Sequence, residues 1–247
     1  MAFCIQCRDI TFRDIEAVVF DKDGTLEDSQ EFLRILGIQR ARRLDAQIPG
    51  SGESTLMAYG IDGDTLDPTG LLAIGSRQEN LIAAAAFVAE TGRGWMESLK
   101  VAQQAFEDAD RILGKPQSSP LFVGSLDVLQ HLAEAGLKLG ILSADTTAGV
   151  ERFVKEHQLD RYISVRMGVD RGPSKPDPVL FANACDALGV KPQNALMVGD
   201  SPLDIEMAQQ AGAAGSIGIC WGTPEAAHLE AADVAIDRLD DIRVVSH

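Results

Sequence analysis

A rhythm of short apolar runs and longer helix-like stretches constrains this chain more than any other feature. IEAVVF (15–20) is rich in β-branched residues. LKLGIL (137–142), NALMVG (194–199), GSIGIC (215–220) and DVAI (233–236) read the same way, with YISVRM (162–167) as a further short strand. Runs of this length and composition suit strands buried on both faces. Helical patterns stand between them over 125–136, 146–158, 178–189 and 202–212, several ending on glycine, as helix C-termini favour. Strands alternating with helices imply a parallel sheet covered by helices on both sides.

The stretch 28–117 breaks this rhythm. It offers no strand pattern, and its periodicity predicts one helix from Asp28 and others around 53–60, 66–73, 77–90 and 94–113. Asp28, with Glu31 three residues on, predicts a capping box for the first of them. GKPQSSP (114–120) has the composition of a linker. The expected fold class is therefore α/β. A Rossmann-like core with a central, mainly parallel sheet is formed by 1–27 and 118–247, and an all-helical cap domain is inserted over 28–117.

Composition narrows the function. With 247 residues and 45% hydrophobic content the chain can fill a core and a smaller module. Lys+Arg 22 against Asp+Glu 37 gives a net charge of −15, which argues against nucleic-acid partners because they need basic surface. An anionic small substrate stays open, since a metal ion or a local cationic pocket serves it. No apolar run reaches membrane length, LIAAAAFVA (81–89) being too short, and no leader pattern is visible. A soluble cytoplasmic protein without a membrane partner is expected. Cys4 and Cys7 form a C-x-x-C inside the strand-like FCIQCRDITF; no second pair or histidine partner accompanies them, and they read as incidental reduced thiols.

Ligands of open parallel sheets bind beyond the carboxyl ends of the strands. There the sequence places Asp21-Lys22-Asp23-Gly24-Thr25 after the first run, Ser143 after the second, and GDSPLD with Asp200 and Asp204 after NALMVG; SKPDP adds Lys175. Residues two apart on an extended segment point the same way, so Asp21 and Asp23 are expected to share a site while Lys22 points elsewhere. Close carboxylates repel unless a cation lies beside them. Mg²⁺, a hard ion that prefers oxygen donors, suits Asp21, Asp200 and a phosphate together. Lys175 offers phosphate a compact charge. Ser201-Pro202-Leu203-Asp204 also reads as a capping box with proline at the first helical position, so Asp204 has a structural task open to it as well. Asp177 is placed to favour the start of the helix that follows it.

DKDGTL, then Ser143, then Lys175 in SKPDP, then GDSPLD resemble the four ordered motifs of the haloacid dehalogenase superfamily, over roughly 15–29 and 137–225. The helical insert after the first motif resembles the cap of its phosphoglycolate phosphatase and β-phosphoglucomutase branch. The resemblance implies a Mg²⁺-dependent phosphatase for a small-molecule phosphate monoester, working through an aspartyl phosphate. It assigns Asp21 as nucleophile. It makes Asp23 the general acid and base, and a metal ligand through its backbone carbonyl. Ser143 becomes a hydrogen-bond donor to the phosphoryl group, Lys175 its counter-charge, Asp200 a metal ligand, and Asp204 a support for the metal waters or for Lys175. Ala144 takes the substrate-side position after Ser143, where many relatives carry asparagine. GSRQENL (75–81) resembles a cap loop whose arginine contacts substrate, which makes Arg77 a candidate; equally, Ser76 and Glu79 form a capping-box pattern that leaves Arg77 on the surface.

The alternative with the same residues is a sugar phosphomutase of the β-phosphoglucomutase type. A phosphonate hydrolase would need a Schiff-base lysine in the cap, where Lys100 is the only interior candidate. A binding module without catalysis would not need the full motif set, and dehalogenation would leave Asp23 without a task. QRARRL (39–44), the densest basic run, reads as a solvated helix face.

Overall fold

The structure is a computed structural model that describes residues 2–114, 119–221 and 226–245. The chain divides into two compact units, Met1–Asp28 with Pro120–His247, and Ser29–Ser119. Most of the expected linker, residues 115–118, lies outside the described residues, as does the expected 117/118 boundary.

In the first unit, β1 (Phe3–Cys7), β2 (Ile10–Ile15) and β3 (Ala17–Phe20) come before the insert. The apolar run IEAVVF is thus split at Glu16, its first residue closing β2. After the insert follow α6 (Ser125–Ala135), β6 (Lys138–Leu142), α7 (Thr147–Glu156), β7 (Ile163–Met167), α8 (Pro178–Leu188), β8 (Ala195–Gly199), α9 (Pro202–Gln210), β9 (Gly215–Ile219), β10 (Val234–Ile236) and β11 (Ile242–Val245). Six strands form one parallel sheet in the order β10-β9-β8-β3-β6-β7. All four residues of β3 and all five of β8 are buried, as strands covered on both faces require. Val18 and Phe20 enter the core on one face, Ala17 and Val19 on the other.

A second, antiparallel sheet, β11-β1-β2, joins the two ends of the chain, with Cys7 opposite Ile242. Cys4 and Cys7 are both buried there and make no disulfide. Burial, helped by Asp241, pushes the Cys7 thiol up to about 12, which suits a packing residue rather than a reactive one.

The second unit packs α1 (Gln30–Gln47), α2 (Ser51–Tyr59), α3 (Leu71–Ile74), α4 (Arg77–Glu90) and α5 (Trp95–Leu113) around Leu44, Tyr59, Ala84, Val88, Ala105 and Phe106. Three expectations need correction here. Part of the stretch is a two-residue-per-strand hairpin, β4 (Ile61–Asp62) with β5 (Thr65–Leu66), so the expected helix over 66–73 shrinks to α3. Ser29, not Asp28, is the N-cap of α1 and makes no side-chain cap bond; Asp28 instead donates its N–H to Pro120, and Glu31 pairs with Arg34. The 39–44 run is not a solvated face. Leu36, Gly37, Arg40, Ala41 and Leu44 form the buried stripe of α1, and Arg40 lies over the Phe106 ring, 4.4 Å from its centroid. No helix among the described residues is long and apolar enough to cross a membrane.

Candidate active site

Strand register brings the first group of side chains together. Phe20 of β3 is level with Ile141 of β6 and with Val198 of β8, so all three strands end at one edge of the sheet. Asp21 adds one more ladder bond, its N–H donating to Val198 at 2.8 Å. Asp21, Ser143 and Asp200 therefore leave three neighbouring strands side by side.

Lys175 reaches in from the loop before α8, through a cis bond to Pro176. Its ammonium lies 2.6 Å from Asp21 Oδ1 and 2.6 Å from Asp204 Oδ1. Asp204 is fully buried, and its Oδ2 accepts the Ser201 N–H. Ser201 and Asp204 do form a capping box, with Pro202 in the first turn of α9. Asp204 thus has both tasks that its position in the sequence left open, since one oxygen caps α9 and the other holds Lys175. Asp177 caps α8 by accepting the Val179 N–H.

Carboxylate oxygens of Asp21, Asp200 and Asp204 all lie within 4.8 Å of one another. Burial, reinforced by Asp204 and Asp23 and opposed by Lys175, pushes the Asp21 carboxyl up to about 7. Burial, then Asp21 and Asp204, raises Asp200 well above the carboxylate range. Burial works against the Lys175 charge, but Asp204 and Asp21 more than offset it, so the ammonium is retained. One lysine among three carboxylates leaves the cluster short of positive charge.

The loop after β3 is built for close approach. Gly24 has φ +78°, and a Cβ there would collide with the Asp200 carboxylate. Leu26 and Glu27 donate their N–H groups back to the Lys22 carbonyl, folding residues 21–27 into a tight turn. Thr25 Oγ1 donates to Asp200 Oδ1 at 3.2 Å. Trp221 Nε1 donates to the Gly24 carbonyl at 3.0 Å while its ring stacks on Phe122. The sequence placed Thr25 at this edge, within DKDGTL, without giving it a role; Trp221 has no signal in its own surroundings and was missed.

Asp23 does not join the carboxylate cluster. Its Oδ2 lies 2.7 Å from Lys22 Nζ, and that same ammonium meets Glu27 and Asp145. The expectation that Lys22 points away is corrected. Asp21–Asp23 lies beyond the end of β3, where strand alternation no longer holds, and a lysine stem is long enough to turn back. Ser143 is buried, and its Oγ accepts the Asp145 N–H at 3.1 Å; Ala144, partly buried beside it, brings no polar side chain. Arg77 belongs to the other unit. The Ser76–Glu79 capping box is formed there, and the Arg77 guanidinium pairs with Asp110 at 2.7 Å.

A model of the haloacid dehalogenase-like hydrolases matches residues 15–212. The chain belongs to this family. The hydrolase is 30% identical to a phosphoglycolate phosphatase of Escherichia coli (strain K12) over 242 residues, covering 94% of this chain and 92% of the relative. It is 27% identical to a phosphoglycolate phosphatase of Vibrio parahaemolyticus, covering 94% and 96%. Among solved structures it is similar to a predicted phosphoglycolate phosphatase from Haemophilus somnus (TM-score 0.68, 20% identity, 92% and 96% covered). It is also similar to a β-phosphoglucomutase from Clostridium difficile (TM-score 0.64, 21% identity, 92% of each chain). At these identities the two structures bear on the fold alone.

Proposed function

We propose that this hydrolase is a cytoplasmic, Mg²⁺-dependent phosphatase that cleaves a small-molecule phosphate monoester through a phosphoryl group carried on Asp21. The observation that carries the reading is Asp21 itself: a buried carboxylate at the end of the central strand, held by Lys175, with Asp200 beside it. The named activity of the curated relatives makes phosphoglycolate the first substrate to test.

An Asp21 carboxylate oxygen bonds to phosphorus as the ester P–O bond breaks, and the Asp23 carboxyl gives its proton to the departing oxygen. Asp23, now a carboxylate, takes a proton from the attacking water while the P–O bond to Asp21 breaks, releasing inorganic phosphate and restoring both side chains. Ser143 accepts a hydrogen bond from Asp145, which leaves its O–H to donate to a phosphoryl oxygen. Lys175 offsets charge on the same group, as phosphoryl transfer requires.

The donor set fits a hard divalent ion. All its members are oxygens, the cluster lacks positive charge, and a side chain at position 24 would occupy the space beside Asp200. Asp21 and Asp200, with the Asp23 backbone carbonyl, would hold Mg²⁺, which would supply positive charge to the phosphoryl oxygens. Both oxygens of Asp204 are committed elsewhere. Dialysis against EDTA is expected to abolish phosphate release and added Mg²⁺ to restore it; full turnover after exhaustive chelation overturns the metal assignment. Product analysis separates the alternative, because a mutase returns an isomerised sugar phosphate instead of inorganic phosphate.

Arg77 is carried as a substrate contact on the resemblance of GSRQENL. Arg77→Ala is expected to lower kcat/KM for the preferred metabolite about 10- to 100-fold, the scale of a lost charge-assisted hydrogen bond, and to leave p-nitrophenyl phosphate hydrolysis nearly unchanged. Equal losses on both substrates, or none on either, remove it from the site.

A further inference from the structure

We infer that Lys22 is a positioning residue that clamps the Asp23 carboxylate. The inference rests on the proposed role of Asp23 in proton transfer. The Lys22 side chain is buried, and its Nζ lies over the Phe153 ring, 5.8 Å from the centroid. An ammonium has three N–H donors. Three carboxylate oxygens surround this one, from Asp23 at 2.7 Å, Glu27 at 2.9 Å and Asp145 at 3.3 Å.

Neutralising one buried lysine takes one carboxylate, and Glu27 is the buried partner that supplies it, at 5% side-chain exposure. The other two face outward, Asp23 at 22% and Asp145 at 32%. Asp145 is itself fixed. Its Oδ1 accepts the Thr146 N–H at 2.6 Å, its own N–H donates to Ser143 Oγ, and Thr146 caps α7. Glu27 belongs to the folded turn, where its N–H donates to the Lys22 carbonyl. Two anchored carboxylates therefore fix the ammonium, and the ammonium fixes Asp23.

The clamp has a direction. Asp21 senses the Asp23 charge as repulsion, and Asp200 and Asp204 add two more carboxyl groups at the same strand edge. An unheld Asp23 carboxylate would swing away from that edge. Lys22 holds it beside the edge without placing the ammonium on Asp21, whose lysine partner is Lys175.

Lys22→Met keeps most of the unbranched stem and removes the charge. Its test is single-turnover kinetics on two substrates. An alkyl phosphate needs its leaving oxygen protonated, whereas p-nitrophenolate leaves without a proton. Phosphorylation of the enzyme by the alkyl ester is expected to slow about 10- to 100-fold, a partial loss of the roughly 100- to 10,000-fold that general acid catalysis contributes, while the p-nitrophenol burst changes less than about 3-fold. Asp145→Asn, which loosens one anchor, should shift both rates in the same sense by less. Equal slowing on both substrates means general damage and overturns the clamp, as does no slowing on either. A crystal structure of Lys22→Met gives a readout that needs no activity: the Asp23 carboxylate should leave its place or split between positions, and an unmoved carboxylate overturns the inference. If instead the parent releases no phosphate from any ester, the phosphatase reading has failed, and the crystal structure still decides the clamp.

Discussion

Asp21→Asn is expected to lose roughly a thousandfold or more of phosphate release, the largest catalytic effect of any single change in this chain. The amide has no charged oxygen to bond to phosphorus, so no acyl phosphate forms and the later hydrolysis has nothing to act on. Loss of fold does not explain such a result. Asp21 is one of three clustered carboxylates, and burial, with Asp204 and Asp23 nearby, already pushes its pKa up to about 7. Removing its charge relieves repulsion with Asp200 and Asp204, and Lys175 keeps Asp204 as a partner. The melting temperature should therefore hold or rise. Asp23→Asn should behave differently: the p-nitrophenol burst persists while steady turnover is slow, because only proton transfer is impaired. Near-normal turnover by Asp21→Asn, with mass spectrometry confirming the amide, removes Asp21 as nucleophile.

The strand edge was legible in the sequence because it depends on a repeating pattern. Buried parallel strands read as unbroken apolar runs, and the polar residue that ends each run marks the same edge of the sheet; Asp21, Ser143 and Asp200 were found that way. The double task of Asp204 was half legible, since its capping box is local while its partner Lys175 is not. What stayed hidden was long-range or too short for a period. The β1–β11 pairing joins residues more than two hundred positions apart. The β4–β5 hairpin has two residues per strand, too few to show alternation. Trp221 supports Gly24 through a bond that spans 197 positions. Lys22 and Arg40 misled for different reasons. Strand alternation was extended to Lys22, which lies past the end of β3, and a basic run was read as solvated around Arg40, whereas both side chains carry a charge on a long stem that a carboxylate set or an aromatic ring lets the fold bury.

Lys175→Met is expected to cost both activity and stability, and the two losses can be separated. Lys175 is the buried cation shared by Asp21 and Asp204. Truncating one partner of a buried ion pair leaves the other charged and unpaired, at about 3–5 kcal/mol. For a protein of this size that corresponds to a fall in melting temperature of about 6–20 °C. Activity should fall roughly a hundredfold or more, since the phosphoryl group loses a fixed counter-charge in a water-poor site. The double variant Lys175→Met with Asp204→Asn tells the effects apart. Asparagine keeps an oxygen to accept the Ser201 N–H and so preserves the cap of α9, while it removes the carboxylate that Lys175 neutralised. Much of the lost melting temperature should return, and turnover should not. Recovery of turnover along with stability would mean that Lys175 acts only by holding the fold together. An unchanged melting temperature in the single variant would mean that the Lys175 pairs carry no net stability.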